Sequence, residues 1–364
     1  MSARRRVVFR CDATSRIGGG HLRRCLTLAE ALAANDWRIS FAVRGEALAL
    51  VPARVPCAPR WIVLDSSGQA EAAQIAAVLG VDGVDLVVVD HYGHDRRFEA
   101  ACRGFARRIA VIDDLADRPH DADLLLDQTF ARNDRDYVGL VSKDCMILCG
   151  SRYALLRPPF AEMRETALSR RRSGEPVRRI LIGMGTADGD DLTSSAVAAV
   201  TLACWRLGQP VAIDVVLGAG APHTDAVRCR LTGLPAWSIH VDASGTAMAR
   251  LMASADLAIG AAGTASWERC CLGLATIVLI AADNQAKIAA ELAAADACRI
   301  VGAAGAASPE RIAAEIEDLC RNDAARLAMA EAAAAVCDGE GTRRVVDAIE
   351  AILARAPAET VPAQ

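Results

Sequence analysis

Short apolar runs that alternate with longer amphipathic segments constrain the fold of this chain more than any other feature. Leu86–Val89 and Ile109–Ile112 are such runs, and similar runs recur at Ile180–Ile182 and Ile277–Ile280. Strands that are buried on both faces read as continuous apolar runs, and the helices between them cover a parallel sheet. The pattern therefore predicts an α/β protein whose parallel sheets carry helices on both faces.

The alternation stops once and then restarts, which indicates two domains in the 364 residues. The interruption contains Pro158-Pro159 and the charged run Arg170–Arg172. We expect an N-terminal Rossmann-like domain over residues 1–157, a linker over 158–176, a C-terminal Rossmann-like domain over 177–355 and a loose tail over 356–364. Two doubly wound domains of this kind would face each other across an interdomain cleft, where small molecules usually bind.

The composition excludes several classes of partner. The formal net charge of -4 leaves no basic footprint for nucleic acid. The thirteen cysteines include no C-x-x-C spacing, which argues against zinc ribbons and thioredoxin-type redox chemistry. No uninterrupted apolar stretch reaches membrane length, and the start of the chain does not resemble a signal peptide. We expect a cytoplasmic monomer that binds a small molecule, without nucleic acid, membrane, metal or cofactor.

A glycine-rich turn near the N-terminus is the most specific local motif. The apolar run Val7–Phe9 is followed by Gly18, Gly19, Gly20 and His21, and an amphipathic helix begins behind the histidine. A strand, a glycine-rich turn and a helix place free backbone N–H groups where an anion can bind. A histidine at that position can also exchange a proton near neutral pH. The alternative is a flexible turn with a capping histidine.

Polar residues follow several of the other predicted strands. Asp90-His91-Tyr92-Gly93 follows one apolar run, and Asp113-Asp114 follows the next. Ligands of parallel sheets bind at the carboxyl ends of the strands, so these side chains are candidates to face one. Solvated loop exits are the alternative interpretation of both motifs.

The second half repeats the strand–turn–helix pattern. Gly183–Thr186 forms one turn, and Gly260–Glu268 contains another with Gly263, Thr264 and Glu268. Backbone N–H groups of such a turn can bind a diphosphate, and the carboxylate of Glu268 can accept both hydroxyls of a ribose. A capping box from Thr264 or Ala265 to Glu268 is the alternative. Asp188 and the Asp283-Asn284-Gln285 motif are each compatible with a helix cap or a ligand contact.

Several of these elements together resemble the nucleotide-sugar hydrolases of the pseudaminic acid pathway, the PseG family, whose relatives include MurG-like glycosyltransferases. The matching elements run in order from about residue 7 to about 290. They are Arg10–Ala13 through Ile17–His21, Val89–Tyr92, Val111–Arg118, Leu126–Gln128, Gly150–Pro158, Ser266–Leu274 and Ala282–Gln285. The resemblance implies a GT-B fold and hydrolysis of UDP-2,4-diacetamido-2,4,6-trideoxy-β-L-altropyranose to UDP and the free sugar. By the same resemblance the product serves pseudaminic acid biosynthesis and flagellin glycosylation.

The resemblance also implies roles for individual residues. His21 matches the catalytic histidine, and Tyr92 and Asn284 match residues near the sugar. UDP contacts carry over to Gly263, Thr264 and Glu268, and we add Gly18, Gly19, Gly20, Gly185 and Gln285 as further substrate contacts. The chain departs from the family at Thr186 and Ala262, where family members have glycine.

UDP is a stable leaving anion, so the predicted mechanism needs one base and no carboxylate pair. We expect His21 to take a proton from the water that attacks the anomeric carbon, with inversion, while Asp12 holds the imidazole tautomer. Two alternatives remain open at this point. One is a GT-B glycosyltransferase with an acceptor hydroxyl in place of water, and the other is a nucleotide-sugar-binding protein without catalytic activity.

Overall fold

The computed structural model has the alternating strands and helices that the apolar runs predict. It describes residues 4–14, 19–52, 54–185, 188–243, 245–282, 285–303, 305 and 307–355. The predicted tail at 356–364 lies outside the described residues. The chain divides into two compact units: Met1–Leu155 together with Gly341–Gln364, and Leu156–Glu340.

The first unit is built on a parallel sheet. Its elements before residue 156 are β1 (Arg6–Cys11), α1 (Gly20–Ala34), β2 (Arg38–Arg44), β3 (Arg60–Leu64), α2 (Ala70–Leu79), β4 (Val84–Asp90), α3 (Arg96–Cys102), β5 (Ala106–Ile112), β6 (Leu124–Asp127) and β7 (Met146–Cys149). Within the described residues these seven strands pair in the order β3-β2-β1-β4-β5-β6-β7. The sheet is therefore doubly wound, and its strand order reverses between β1 and β4.

The second unit repeats this plan. Its elements are α4 (Pro158–Arg172), β8 (Arg179–Gly183), α5 (Leu192–Leu207), β9 (Ala212–Leu217), α6 (Thr224–Leu231), β10 (Trp237–Val241), α7 (Thr246–Ser254), β11 (Leu257–Ala261), α8 (Ala265–Cys271), β12 (Thr276–Ile280), α9 (Ala286–Ala294), β13 (Arg299–Ala303), α10 (Pro309–Arg321) and α11 (Asp323–Val336). In this part of the described chain the strand order is β10-β9-β8-β11-β12-β13. The strand order reverses between β8 and β11.

The expected linker is a helix of the second unit. Residues 158–172 form α4, which has proline at its first turn, where a missing N–H costs no hydrogen bond. The basic run Arg170–Arg172 occupies the last turn, where positive charge complements the helix dipole. Phe160 and Ala167 are buried. The features that suggested a linker are therefore the start and end signals of a helix.

The last helix also differs from the expected domain boundary. α12 (Gly341–Ala354) lies in the first unit, although we expected residues 177–355 to form the C-terminal domain. Its apolar face belongs to the same buried core as α1 and the first sheet, with Val345, Ile349 and Ile352 at 0–1% exposure. The guanidinium groups of Arg107 and Arg108 donate to the carbonyls of its last turn. The chain therefore returns to the first unit after α11, because the apolar face of α12 is buried there and would otherwise be exposed to water.

A core truncation in α12 tests which unit this helix stabilises. We expect Ile349→Ala to destabilise the first unit by about 2–5 kcal/mol, because it leaves a cavity in the core of that unit. Hydrogen-exchange mass spectrometry should show faster exchange in β1 and α1 and unchanged exchange in β8–β13. Ile316→Ala in α10, which truncates an equally buried residue of the second core, is the matched control and should show the reverse. Faster exchange of the second sheet in Ile349→Ala would contradict the assignment.

Candidate functional site

The candidate site lies where the strand order of the first sheet reverses. Cys11, the last residue of β1, pairs with Asp90, the last residue of β4, so the two strands end side by side. His21 is the second residue of α1, which follows β1 after the glycine-rich turn. Gly19 and Gly20 form the start of this helix, whereas Gly18 lies outside the described residues. The carboxyl ends of β1 and β4 thus bring the histidine and the aspartate together.

His21 and Asp90 form a buried pair. The Nδ1 atom of His21 lies 2.5 Å from Oδ1 of Asp90, and the two residues are 6% and 0% exposed. The guanidinium of Arg24 donates to both Asp90 oxygens at 2.7 Å, and the thiol of Cys25 donates to Oδ2 at 3.3 Å. Burial alone would raise the pKa of Asp90. The charges and hydrogen bonds of Arg24 and His21 outweigh burial and hold this pKa well below its usual range.

The charge of Asp90 decides which nitrogen of His21 carries the proton. An ionised carboxylate only accepts hydrogen bonds, so Nδ1 donates to Asp90. Arg24 also approaches Nδ1, at 3.1 Å, but this nitrogen has no lone pair to accept with once it is protonated. In the neutral imidazole Nε2 therefore keeps its lone pair. A histidine held in this way can act as a general base through Nε2.

Tyr92 and Asp114 complete the surroundings of the imidazole. The Tyr92 ring meets the His21 ring edge to face, with centroids 4.5 Å apart and planes at 89°. Asp114 accepts from Arg24 at 3.0 Å and from the Tyr92 hydroxyl at 3.5 Å. The structure thus places Tyr92 beside His21. Asn284, the other residue that we expected near the sugar, lies outside the described residues.

Asp12 does not hold the imidazole of His21, contrary to our expectation. Its oxygens accept instead from the Arg10 guanidinium at 3.0 Å, the Arg44 backbone N–H at 3.0 Å and Nε2 of His91 at 3.1 Å. Burial would raise the pKa of Asp12, but the hydrogen bonds from His91 and Arg10 hold it well below its usual range. Asp90, from the next strand of the sheet, takes the place that we assigned to Asp12.

The Asp12 contacts belong to a separate ionic cluster at the same edge of the sheet. Arg10, which is fully buried, donates to Glu71 at 2.6 Å, and Glu71 also lies 3.0 Å from Nε2 of His94. Burial would raise the pKa of Glu71, but His94 and Arg10 lower it to about 2. This cluster ties β1, α2 and the loop after β4 together beneath the candidate site.

In the second unit, the N–H groups at the start of α5 are hydrogen-bonded to carboxylates that precede the helix. Gly185 adopts a left-handed backbone with φ of 91°, as the turn before α5 requires. Asp188 accepts from the N–H groups of Leu192 and Thr193, and Asp191 accepts from that of Ser194. The free N–H groups that an anion would need are therefore already bound by carboxylates. Asp191 is the N-cap of α5, and Asp188 binds the first two N–H groups of the helix, as a capping carboxylate does.

The turn between β11 and α8 is more open. Apart from its chain neighbours, no described residue has an atom within 4 Å of a Cβ built at Gly263. Thr264 caps α8 without a side-chain hydrogen bond, so the capping box that was the alternative interpretation is not formed. Glu268 is half-buried on the first turn of α8. The side-chain oxygen of Gln285 accepts from the N–H of Ala281 at 3.1 Å. These four residues lie after neighbouring strands of the second sheet.

The described residues limit what else the site can contain. No group of three or more His, Cys, Asp or Glu side chains in the described ranges is arranged to hold a metal ion. No helix in the part of the chain that the structure describes is both long and apolar enough to cross a membrane.

Arg24 is the functional residue that our sequence analysis missed. It lies three positions after His21 on α1, and residues at that spacing share one face of a helix. A basic residue on the face that carries the histidine was therefore the available signal. Its buried partner Asp90 was recognised only as part of a strand-end motif.

The two doubly wound parallel sheets with interleaved helices define the α/β GT-B fold. Residues 180–349 match the model of the glycosyltransferase family 28 C-terminal domain. MurG of Acinetobacter baumannii has the same fold, with a TM-score of 0.63 at 16% identity over 95% of this chain and 99% of that chain. The UDP-GlcNAc 2-epimerase of Neisseria meningitidis, solved bound to UDP-GlcNAc, gives a TM-score of 0.59 at 13% identity over 95% and 100%.

Two curated relatives are similar in sequence. UDP-2,4-diacetamido-2,4,6-trideoxy-β-L-altropyranose hydrolase of Campylobacter jejuni is 30% identical over 161 residues, which are 43% of this chain and 53% of the relative. The spore coat polysaccharide biosynthesis protein SpsG of Bacillus subtilis is 26% identical over 196 residues, 54% of this chain and 56% of that protein. Each match thus spans about half the length of the relative. The resemblance to the hydrolase and to MurG-like proteins is confirmed.

The proton position on His21 can be measured directly. We expect ¹⁵N-detected NMR of histidine-labelled protein to show the Nδ1–H tautomer for neutral His21. Asp90→Asn should move that proton to Nε2, because Arg24 would take the amide oxygen and leave the amide NH₂ facing Nδ1. Asp12→Asn is the matched control and should leave the tautomer unchanged. A change in Asp12→Asn, but not in Asp90→Asn, would restore our original assignment.

The lowered pKa of Glu71 predicts an acid-dependent stability. Glu71 titrates near 4.5 when unfolded and near 2 when folded, so its contribution is complete above about pH 5 and falls as the pH drops towards 2. Over that interval, urea unfolding should show the advantage of wild type over Glu71→Gln shrinking by roughly 3 kcal/mol. An advantage that stays constant from pH 6 to pH 3 would show that the Glu71 carboxylate gains nothing from His94 and Arg10.

Proposed function

We propose that this chain hydrolyses UDP-2,4-diacetamido-2,4,6-trideoxy-β-L-altropyranose to UDP and the free sugar, with His21 as the general base. The single observation that carries the proposal is the Asp90–His21 pair, in which Nδ1 is bound at 2.5 Å. The identity to the C. jejuni hydrolase supports this substrate. Under this proposal the product enters the biosynthesis of pseudaminic acid.

The proposed reaction is one displacement at the anomeric carbon. Nε2 of His21 takes a proton from water as the water oxygen forms a bond to that carbon. The bond from the anomeric carbon to the diphosphate oxygen breaks, and its electron pair leaves with UDP, so the configuration inverts. A diphosphate is a stable anion, and the step needs no proton donor for the leaving group.

Asp90, Arg24 and Tyr92 support His21 in this step. The negative charge of Asp90 stabilises the imidazolium that forms when His21 accepts the proton. Arg24 keeps Asp90 ionised and fixed in direction through two hydrogen bonds of 2.7 Å. The edge contact of Tyr92 limits rotation of the imidazole ring, so that Nε2 keeps one direction.

The second unit is proposed to bind UDP. Gly263, Thr264, Glu268 and Gln285 lie after β11 and β12, and the match to the glycosyltransferase family 28 C-terminal domain covers all four. Glu268 is the candidate to accept from the ribose hydroxyls. Asn284, Gly18, Gly19, Gly20 and Gly185 remain proposed contacts.

Turnover without an acceptor tests the proposal. We expect wild type, incubated with the UDP-sugar alone, to release UDP and free sugar in equal amounts by NMR. His21→Gln should slow release by about 10²- to 10⁴-fold, because the base is lost. It should still bind UDP, which separates loss of catalysis from loss of folding.

Other outcomes would support a different function. Turnover that requires an added acceptor would indicate a glycosyltransferase, the activity named in the family that matches residues 180–349. Tight binding of the UDP-sugar without turnover would indicate a binding protein. Near-normal hydrolysis by His21→Gln would refute the role of His21 whichever substrate is used.

A further inference from the structure

A buried arginine lies against the second sheet at the point where the strand order of the sheet reverses. Arg269 lies on α8 and is 5% exposed. Its guanidinium donates from Nη2 to the carbonyl of Ala261 at 2.7 Å and to Oγ of Ser266 at 3.1 Å. It therefore lies beneath the turn that joins β11 to α8.

Gly260 makes room for this guanidinium. Gly183 of β8 and Gly260 of β11 are paired across the point of reversal. A Cβ at Gly260 would lie 2.6 Å from Nη1 of Arg269 and 2.9 Å from the carbonyl oxygen of Gly183. A side chain at Gly260 would displace the arginine, so the end of β11 accommodates it.

No acid contacts Arg269 among the described residues, although the nearby carboxylate of Glu268 favours its charge electrostatically. Among the described residues, Arg269 forms no ion pair with a carboxylate, and its recorded partners are a carbonyl and a hydroxyl. The nearby thiols of Cys270 and Cys298 give no negative charge, because burial raises the pKa of Cys298 to about 11 and that of Cys270 further. Burial also lowers the pKa of Arg269 itself. A buried and unpaired cation is costly, which favours an anion from outside the described chain.

A second arginine of the unit, Arg171, does not share this position. Arg171 is also bonded to carbonyls alone, those of Met252, Ala255 and Gly273. These carbonyls precede β11 and β12, so Arg171 lies at the amino ends of the strands. Ligands of doubly wound sheets bind at the carboxyl ends, at the point of reversal. Only Arg269 of this pair lies there.

We propose that Arg269 is the countercharge for the diphosphate of the bound nucleotide. The inference rests on the proposed binding of UDP to the second unit, and it adds a binding residue that the sequence motifs did not indicate. The start of α5, whose N–H groups are bound by Asp188 and Asp191, does not provide this charge. A cation in a buried, weakly screened position attracts an anion more strongly than an exposed one.

Comparison of UDP with uridine tests the charge separately from the shape of the site. We expect Arg269→Gln, which retains a donor for Ala261 but no charge, to lose on the order of 10- to 100-fold in UDP affinity. Its affinity for uridine, which has no phosphate, should stay within about twofold of wild type, because the base and ribose contacts remain. Arg269→Lys, which keeps the charge, should bind UDP more tightly than Arg269→Gln. Ligand-observed NMR measures the affinity for UDP and for uridine, and circular dichroism checks the fold.

Arg171→Gln is the matched control and should bind UDP as wild type does. Equal losses for UDP and uridine in Arg269→Gln would overturn the inference, because Arg269 would then only shape the turn. Unchanged UDP affinity in Arg269→Gln would overturn it as well, while the proposed function stands. Wild type without affinity for UDP would instead refute the proposed function, and this inference with it.

Discussion

The buried carboxylate of Asp90 is the interaction on which the candidate site depends. A charge at 0% exposure is stable only when it is paired and fully hydrogen-bonded, and Arg24 and His21 provide both conditions. The same contacts join the end of β4 to the first turns of α1. The direction of the imidazole and its tautomer both follow from this one charge. Loss of Asp90 would leave Arg24 buried beside the remaining Asp114, and the local geometry would have to change.

The two units use the same architecture with opposite electrostatics. In both sheets the strand order reverses between a pair of central strands, and their carboxyl ends leave room for polar groups. The first unit places aspartates there and neutralises them internally with Arg24 and Arg10. The second unit places Arg269 there, and its recorded partners carry no charge. An internally balanced cluster suits proton transfer, because its geometry is preorganised, whereas an unbalanced cation suits the binding of an anion.

Much of the architecture was predictable because both sheets are buried on both faces. The central strands of both sheets are continuous apolar runs. They alternate with helical segments along the chain, and this alternation predicts parallel pairing. Edge and short strands were harder: β10 and β13 are only partly buried and mix polar or small residues with apolar ones, and β7 is apolar but only four residues long. The boundaries at residues 158–176 and 341–355 were wrong for another reason. A proline followed by charged residues has the composition of a linker, and only packing shows that α4 is a helix of one unit and α12 a helix of the other.

The sequence by itself determined the fold class, the histidine at the start of α1 and the strand ends that could face a ligand, because these depend on local periodicity and on chain order. The tertiary structure decided which of the acids meets His21. Asp12 is nine residues away along the chain and Asp90 is 69, yet the pairing of β1 with β4 brings Asp90 to Nδ1 and directs Asp12 towards Arg10 and His91. The proposal for Arg269 likewise depends on its burial and on the lack of an ion pair to it among the described residues. Contacts between residues far apart in sequence depend on strand order and side-chain direction, which local patterns do not contain.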